Sequence, residues 1–117
     1  MKKMISLVAL ISLNVQAHGM YPTGNLEAAY ATSNFHKVEF SVQNMYEDRT
    51  CYEVEINGKL MTPYTVCLKA KERKEMSVYV ESKPNEWSVN EVCSLSPVIG
   101  MARTRMCLKS QSYYFVQ

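Results

Sequence analysis

Alternation with a period of two is the feature that most restricts this chain. From Asn34 onward apolar side chains recur at every second position. "HKVEFSVQ" sets Val38, Phe40 and Val42 against Lys37, Glu39 and Ser41, and "CYEVEIN" sets Tyr52, Val54 and Ile56 against Glu53 and Glu55. Successive side chains of an extended strand point to opposite faces, so the pattern describes strands with one face buried and one wet. "EMSVYV" repeats it with Met76, Val78 and Val80, and "EWSVN" resumes it at Trp87 and Val89. The last segment alternates Ala102, Thr104, Met106 and Leu108 with Arg103, Arg105, Cys107 and Lys109. No helical period is sustained; the weak one in "NLEAAYAT" reads as one helical turn or an irregular first strand.

Turn-forming stretches separate these runs: "NMYEDR", "NG" at Asn57 and Gly58, "MTP", "KAKERK", "SKPN" and "SPVIG". Glycine, proline and asparagine supply the backbone angles that a reversal needs. Six or seven short strands in one small domain predict an all-β fold, an immunoglobulin-like antiparallel β-sandwich. No repeat or linker interrupts the chain, so one domain is expected.

The beginning of the chain predicts its compartment. "MKK" is followed by the apolar "MISLVALISL" and by small residues at Val15 and Ala17, the pattern of a signal peptide cleaved after Ala17. The expected division is a signal peptide over 1–17 and a β-sandwich over 18–117, exported to the periplasm or secreted. The apolar run is shorter than the roughly 20 residues that span a bilayer, so no stable membrane insertion is expected after cleavage.

A domain of this size buries a marginal core, and exported domains commonly add disulfides. The chain has four cysteines, Cys51, Cys67, Cys93 and Cys107, with none of the close pairs of a zinc site. With Gly100 at the tip of the last hairpin, residues whose numbers sum to 200 face each other, which makes Cys93 and Cys107 cross-strand partners. Cys51 and Cys67 flank "INGKLMTPYTV" and pair by elimination and proximity. Four cysteines allow three connectivities, and the crossed ones stay open at this point.

Charge and motifs exclude several functions. The formal +2 comes from Lys2 and Lys3; without them basic residues fall from 13 to 11, against 11 acidic ones. A near-neutral domain gives no reason to expect nucleic acid as a partner. Nucleophile-elbow, zincin and phosphate-loop motifs are missing, so no enzyme is expected. One metal set is available: cleavage after Ala17 would leave His18 with a free α-amino group, and with His36 it would offer nitrogen ligands to Cu(II). That amino-terminal histidine resembles the copper brace of small periplasmic copper carriers and of copper-dependent polysaccharide monooxygenases, and gives an alternative function in copper binding. Consecutive aromatics in "SYYFVQ", Tyr113, Tyr114 and Phe115, must point to both faces of a strand. They offer a contact surface or a packing partner for Trp87.

The order "MYPTGNLE", "VEFSVQN", "CYEVEINGKL", "SVYV", "PVIGMARTRMCLK" resembles the amino-terminal immunoglobulin-like domain of periplasmic chaperones of the chaperone-usher pilus pathway. The matching positions are Pro22, Asn44, Tyr52 with Val54, and Arg103 with Arg105. The resemblance implies β-strand donation to another exported protein such as a pilin-like subunit. Ala102, Thr104, Met106 and Leu108 would be the donated face, flanked by Arg103, Arg105 and Lys109. It also implies a disulfide tying the last two strands. The family's early basic residue has no counterpart, since no Lys or Arg lies between His18 and His36, and Cys107 or Lys109 stands near the position of its last-strand lysine. A secreted structural or surface module remains a further alternative.

Overall fold

The structure, a computed structural model of the chain, describes residues 18–24, 26, 29–98 and 100–117. The leader read over 1–17 lies outside the described residues. Among the described residues nine strands follow one another: β1 His18–Pro22, β2 Ala29–Ala31, β3 Phe35–Asn44, β4 Thr50–Ile56, β5 Lys59–Leu60, β6 Val66–Leu68, β7 Arg73–Glu81, β8 Trp87–Leu95 and β9 Arg105–Tyr114. A single 3-10 turn, Thr62–Tyr64, interrupts the run between β5 and β6. Among the described residues no helix is long and apolar enough to cross a membrane.

The strands form the two layers of an immunoglobulin-like sandwich. One sheet has the order β1-β3-β7 and the other the order β2-β9-β8-β4-β5, with β6 also paired to β4. Every pairing between these strands is antiparallel except that of β2 with β9, where Ala29 to Ala31 lie parallel to Ser112 to Tyr114. The chain therefore leaves one sheet after β1 and joins the other at β2, so the "AYA" of "NLEAAYAT" is a strand.

The alternation places the core. Met20, Val38, Phe40, Val42, Tyr52, Val54, Val66, Leu68, Val78, Val80 and Val92 form one buried cluster between the layers. Each fully buried side chain of this size contributes about 1.5–3 kcal/mol of hydrophobic stabilisation. The "NG" turn joins β4 to β5 with positive φ at both Asn57 (52°) and Gly58 (82°), the conformation that this dipeptide favours in tight hairpins.

In two strands the sequence expectation needs adjustment. β9 starts at Arg105, so Ala102 and Thr104 precede the strand on which they were expected. In β8 the period survives with its phase inverted. Trp87 (49% exposed) and Val89 (58%) face outward, while Asn90, Val92 and Ser94 face inward. The inward Asn90 is hydrogen-bonded on both sides: its Nδ2 donates to the Glu81 carbonyl at 2.8 Å and its Oδ1 accepts from Asn57 Nδ2 at 2.8 Å. A buried amide with both ends bonded removes the penalty that favours an apolar residue there.

Candidate functional site

The last hairpin has the expected register. Cys93 lies opposite Cys107 and Trp87 opposite Tyr113, nine pairs in all, with the Cys93–Cys107 disulfide in the ladder. Gln111 N–H donates to the Leu26 carbonyl on the side away from β8. Strand alternation then directs the N–H and C=O of Lys109, Cys107 and Arg105 to that same side. Glu91 on β8 agrees with this phase, because its backbone bonds to Asn57 on the side away from β9. The Cys93–Cys107 Cα separation of 4.0 Å also fits the narrow, non-hydrogen-bonded pair that this phase requires.

β2 covers β9 only at Ser112 to Tyr114. Among the described residues no strand pairs with the outer edge of β9 from Arg105 to Ser110. Side chains predicted as partner contacts divide here into two sets. Met106 and Leu108 turn inward, half-buried against the core. Arg103 and Arg105 are committed to carboxylates on the outer face of the sheet: Arg103 Nη2 sits 2.8 Å from Glu53 Oε1, and Arg105 Nη2 sits 3.2 Å from Glu55 and 3.6 Å from Glu91. Arg103 Nε also donates to the Ser96 carbonyl at 2.8 Å, closing the hairpin tip. Lys109 is exposed and in register with Glu91.

A second edge belongs to β7, the outermost strand of the smaller sheet. The Tyr79 N–H on that edge donates to the Tyr64 hydroxyl at 3.4 Å. By the same alternation Arg73 and Glu75 turn their backbone groups to that edge, a mixed-charge border that discourages strand pairing, while the Glu81 carbonyl is taken by Asn90.

The structure does not bring His18 and His36 together. His18 pairs with Asn44 while His36 lies eight residues earlier on β3, a separation of about 26 Å at the rise of an extended strand. One copper ion cannot be shared across that distance. His18 is fully buried, its Nε2 is 2.8 Å from Ser94 Oγ, and its ring lies 4.7 Å from that of Tyr52. Its Nδ1 has no hydrogen-bond partner among the described residues. Burial holds the His18 pKa below its ordinary value, partly offset by the Ser94 carbonyl, and burial likewise lowers that of His36. Glu91, Cys93 and Cys107 also cluster, but both sulfurs are consumed in the disulfide and are unavailable to a metal.

Sequence reasoning found one aromatic surface in part, through Tyr113, Phe115 and Trp87, and missed Tyr30. Tyr30 on β2, Tyr113 on β9 and Trp87 on β8 are lateral neighbours across three strands, and Phe115 continues the row beside Tyr113, centroid to centroid 6.3 Å. Trp87 and Tyr113 were legible as aromatics, but the short parallel β2 that brings Tyr30 beside them has no periodic signal.

No protein-family model matches the chain, and no curated protein matches its sequence. Among solved structures, a CARDB domain from Pyrococcus furiosus, solved in complex with di-metal ions, is similar with a TM-score of 0.53 at 17% identity. The match covers 86% of this chain and 94% of that one. At that identity the likeness concerns the β-sandwich fold alone.

Proposed function

We propose that this chain is an exported, single-domain protein-binding module that presents the edge of β9 to an extended segment of another exported protein. It would act in the manner of a pilus chaperone or a pilus-assembly accessory protein. The observation that carries this reading is the outer edge of β9, unpaired among the described residues from Arg105 to Ser110 and held in register by a disulfide and by arginine–carboxylate pairs. A row of unpaired backbone donors and acceptors on a rigid strand is a template for β-augmentation. Two disulfides are consistent with export to an oxidising compartment, periplasmic or extracellular.

Charge favours a foreign strand over a second copy. Antiparallel self-pairing centred on Cys107 would set Arg105 against Lys109 of the other copy, and like charges directly opposite destabilise a strand pair. A heterologous strand suits the site if its apolar side chains meet Met106 and Leu108 and its polar or acidic ones lie beside Arg105 and Lys109.

Lys109→Pro tests the reading, because it removes an outward N–H while leaving the β8 ladder bonds of Leu108 and Ser110 in place; proline is tolerated on such an edge. Native mass spectrometry of protein purified from an exporting host should show a co-purifying polypeptide that Lys109→Pro loses. A polypeptide retained by Lys109→Pro would overturn edge pairing, and a bare monomer from the unmodified chain would favour a structural or surface module.

A further inference from the structure

We propose that the groove walled by Tyr30, Trp87, Tyr113 and Phe115 is a binding site for a trimethylammonium group, the headgroup chemistry of choline. The groove measures about 260 Å³ and lies on the outer face of the larger sheet, away from the β9 edge discussed above. Tyr30, Trp87 and Phe115 are 74%, 49% and 66% exposed, so the core does not require them. Their positions are nevertheless fixed. Tyr30, Tyr113 and Trp87 stand on three successive strands of one sheet, β9 pairing with β2 on one side and with β8 on the other. The backbone around Phe115 is held where Asn85 N–H donates to the Tyr114 carbonyl at 2.7 Å and Val116 N–H donates to Asn85 Oδ1 at 2.8 Å.

Ring geometry makes a folded wall. Neighbouring centroids lie 6.4 Å (Tyr30–Trp87), 5.4 Å (Trp87–Tyr113) and 6.3 Å (Tyr113–Phe115) apart, with interplanar angles of 41°, 68° and 34°. A cation interacts with an aromatic face within about 6 Å of its centroid. One ion seated in this groove therefore reaches more than one ring at once.

The chemistry of the lining selects the ligand. Among the described residues the lining is wholly aromatic, and its hydrogen-bonding groups are the phenol hydroxyls of Tyr30 and Tyr113 and the indole N–H of Trp87. Such walls offer two phenol oxygens as acceptors, fewer than the donors of a primary ammonium or a guanidinium, whereas a trimethylammonium has no donor to satisfy. Charge then separates the cation from a neutral apolar group of equal shape. Aromatic faces are electron-rich. On its other side Trp87 borders a depression lined by Glu81, Glu86 and Lys83, which holds two carboxylates against one ammonium.

Trp87 is the only tryptophan in the chain, so its fluorescence reports the site directly. Choline chloride should change the emission saturably, sodium chloride at equal ionic strength should not, and 3,3-dimethylbutan-1-ol, the uncharged isostere of choline, should bind at least about fivefold more weakly. Tyr30→Leu should keep the far-ultraviolet circular dichroism and weaken choline binding by about two- to fivefold, the equivalent of one exposed cation–π contact. With choline binding established, phosphocholine titration and co-sedimentation with phosphatidylcholine against phosphatidylglycerol vesicles separate a soluble headgroup from a membrane-borne one. Equal binding of the isostere, no saturable response to choline, or saturation by cellotetraose or decaproline in its place would overturn the proposal.

Discussion

The two disulfide-closed hairpins have almost equal loops and hold very different structures. Cys51–Cys67 spans 16 residues and Cys93–Cys107 spans 14, so loop-closure entropy assigns each about 3 kcal/mol. Around Cys93–Cys107 the ladder is continuous over nine pairs. Around Cys51–Cys67 it is broken: β5 contributes two pairs and β6 three, with the 3-10 turn between them. The Cys93–Cys107 bond therefore fixes a strand already held by its neighbour, whose far edge is open among the described residues. The Cys51–Cys67 bond replaces ladder bonds that are missing.

The largest test of this difference is removal of each bond. Cys51→Ala with Cys67→Ala, and Cys93→Ala with Cys107→Ala, should each lower stability by about 3 kcal/mol, measured by denaturant unfolding. Amide exchange should separate them. The first pair should expose Val66 to Leu68 selectively, and the second should leave the β8–β9 amides protected until global unfolding. Equal local effects would erase the contrast.

Next comes Asn44, the other tether of the broken hairpin. It is fully buried and its Nδ2 donates to the carbonyls of Asp48, Leu68 and Lys69 at 2.9, 3.2 and 3.0 Å. Its Oδ1 accepts from Tyr46 N–H and, at 2.6 Å, from the Tyr52 hydroxyl. Asn44→Ala should cost about 2–3 kcal/mol by stranding buried polar groups. Combined with loss of Cys51–Cys67, it should cost more than the sum, because both hold β6.

Tyr52→Phe is milder, about 1 kcal/mol, since the ring stays packed and what is lost is the hydroxyl's hydrogen bonding to Asn44 and Thr50. The Tyr52 hydroxyl, pushed up to about 12 chiefly by burial, stays protonated and donating throughout the neutral range.

Smaller still is a single-proton effect at His18, which lies between the hairpins, bonded to Ser94 of β8 and beside Tyr52 of β4. Its folded pKa is below the unfolded 6.5, so the unfolded chain takes up the proton first. Stability is therefore full above pH 6.5 and falls as pH drops from there toward the lower folded pKa. His18→Gln should flatten that part of the pH–stability curve.

The smallest effect is expected for Arg105→Ala, at most about 1 kcal/mol and diminishing with added salt, because its pairs with Glu55 and Glu91 are solvent-exposed.

What the sequence disclosed follows from which interactions are local. The last hairpin was legible because one turn at Gly100 sets its register and the cysteine numbers sum to the required value. The "NG" turn was legible because only a few dipeptides tolerate two positive φ values. β2 was not, since three residues pairing in parallel with a distant strand carry no periodicity. Without β2 neither the limit of the open β9 edge nor the aromatic row can be placed. Trp87 and Val89 misled in phase, because alternation fixes which residues share a face but not which face is buried, and Asn90 and Ser94 occupy the inner one. His18 and His36 could be read as ligands only while the register of β1 on β3, which sets His18 opposite Asn44, was unknown.

Residue-resolved amide exchange across 105–110 in the free protein tests the open edge of β9 most directly. The account predicts alternation: fast exchange at Arg105, Cys107 and Lys109, whose N–H groups face outward, and slow exchange at Met106, Leu108 and Ser110, whose N–H groups bond to β8. Uniform protection across all six would mean that the edge is already paired within the chain, and would contradict its presentation to a partner.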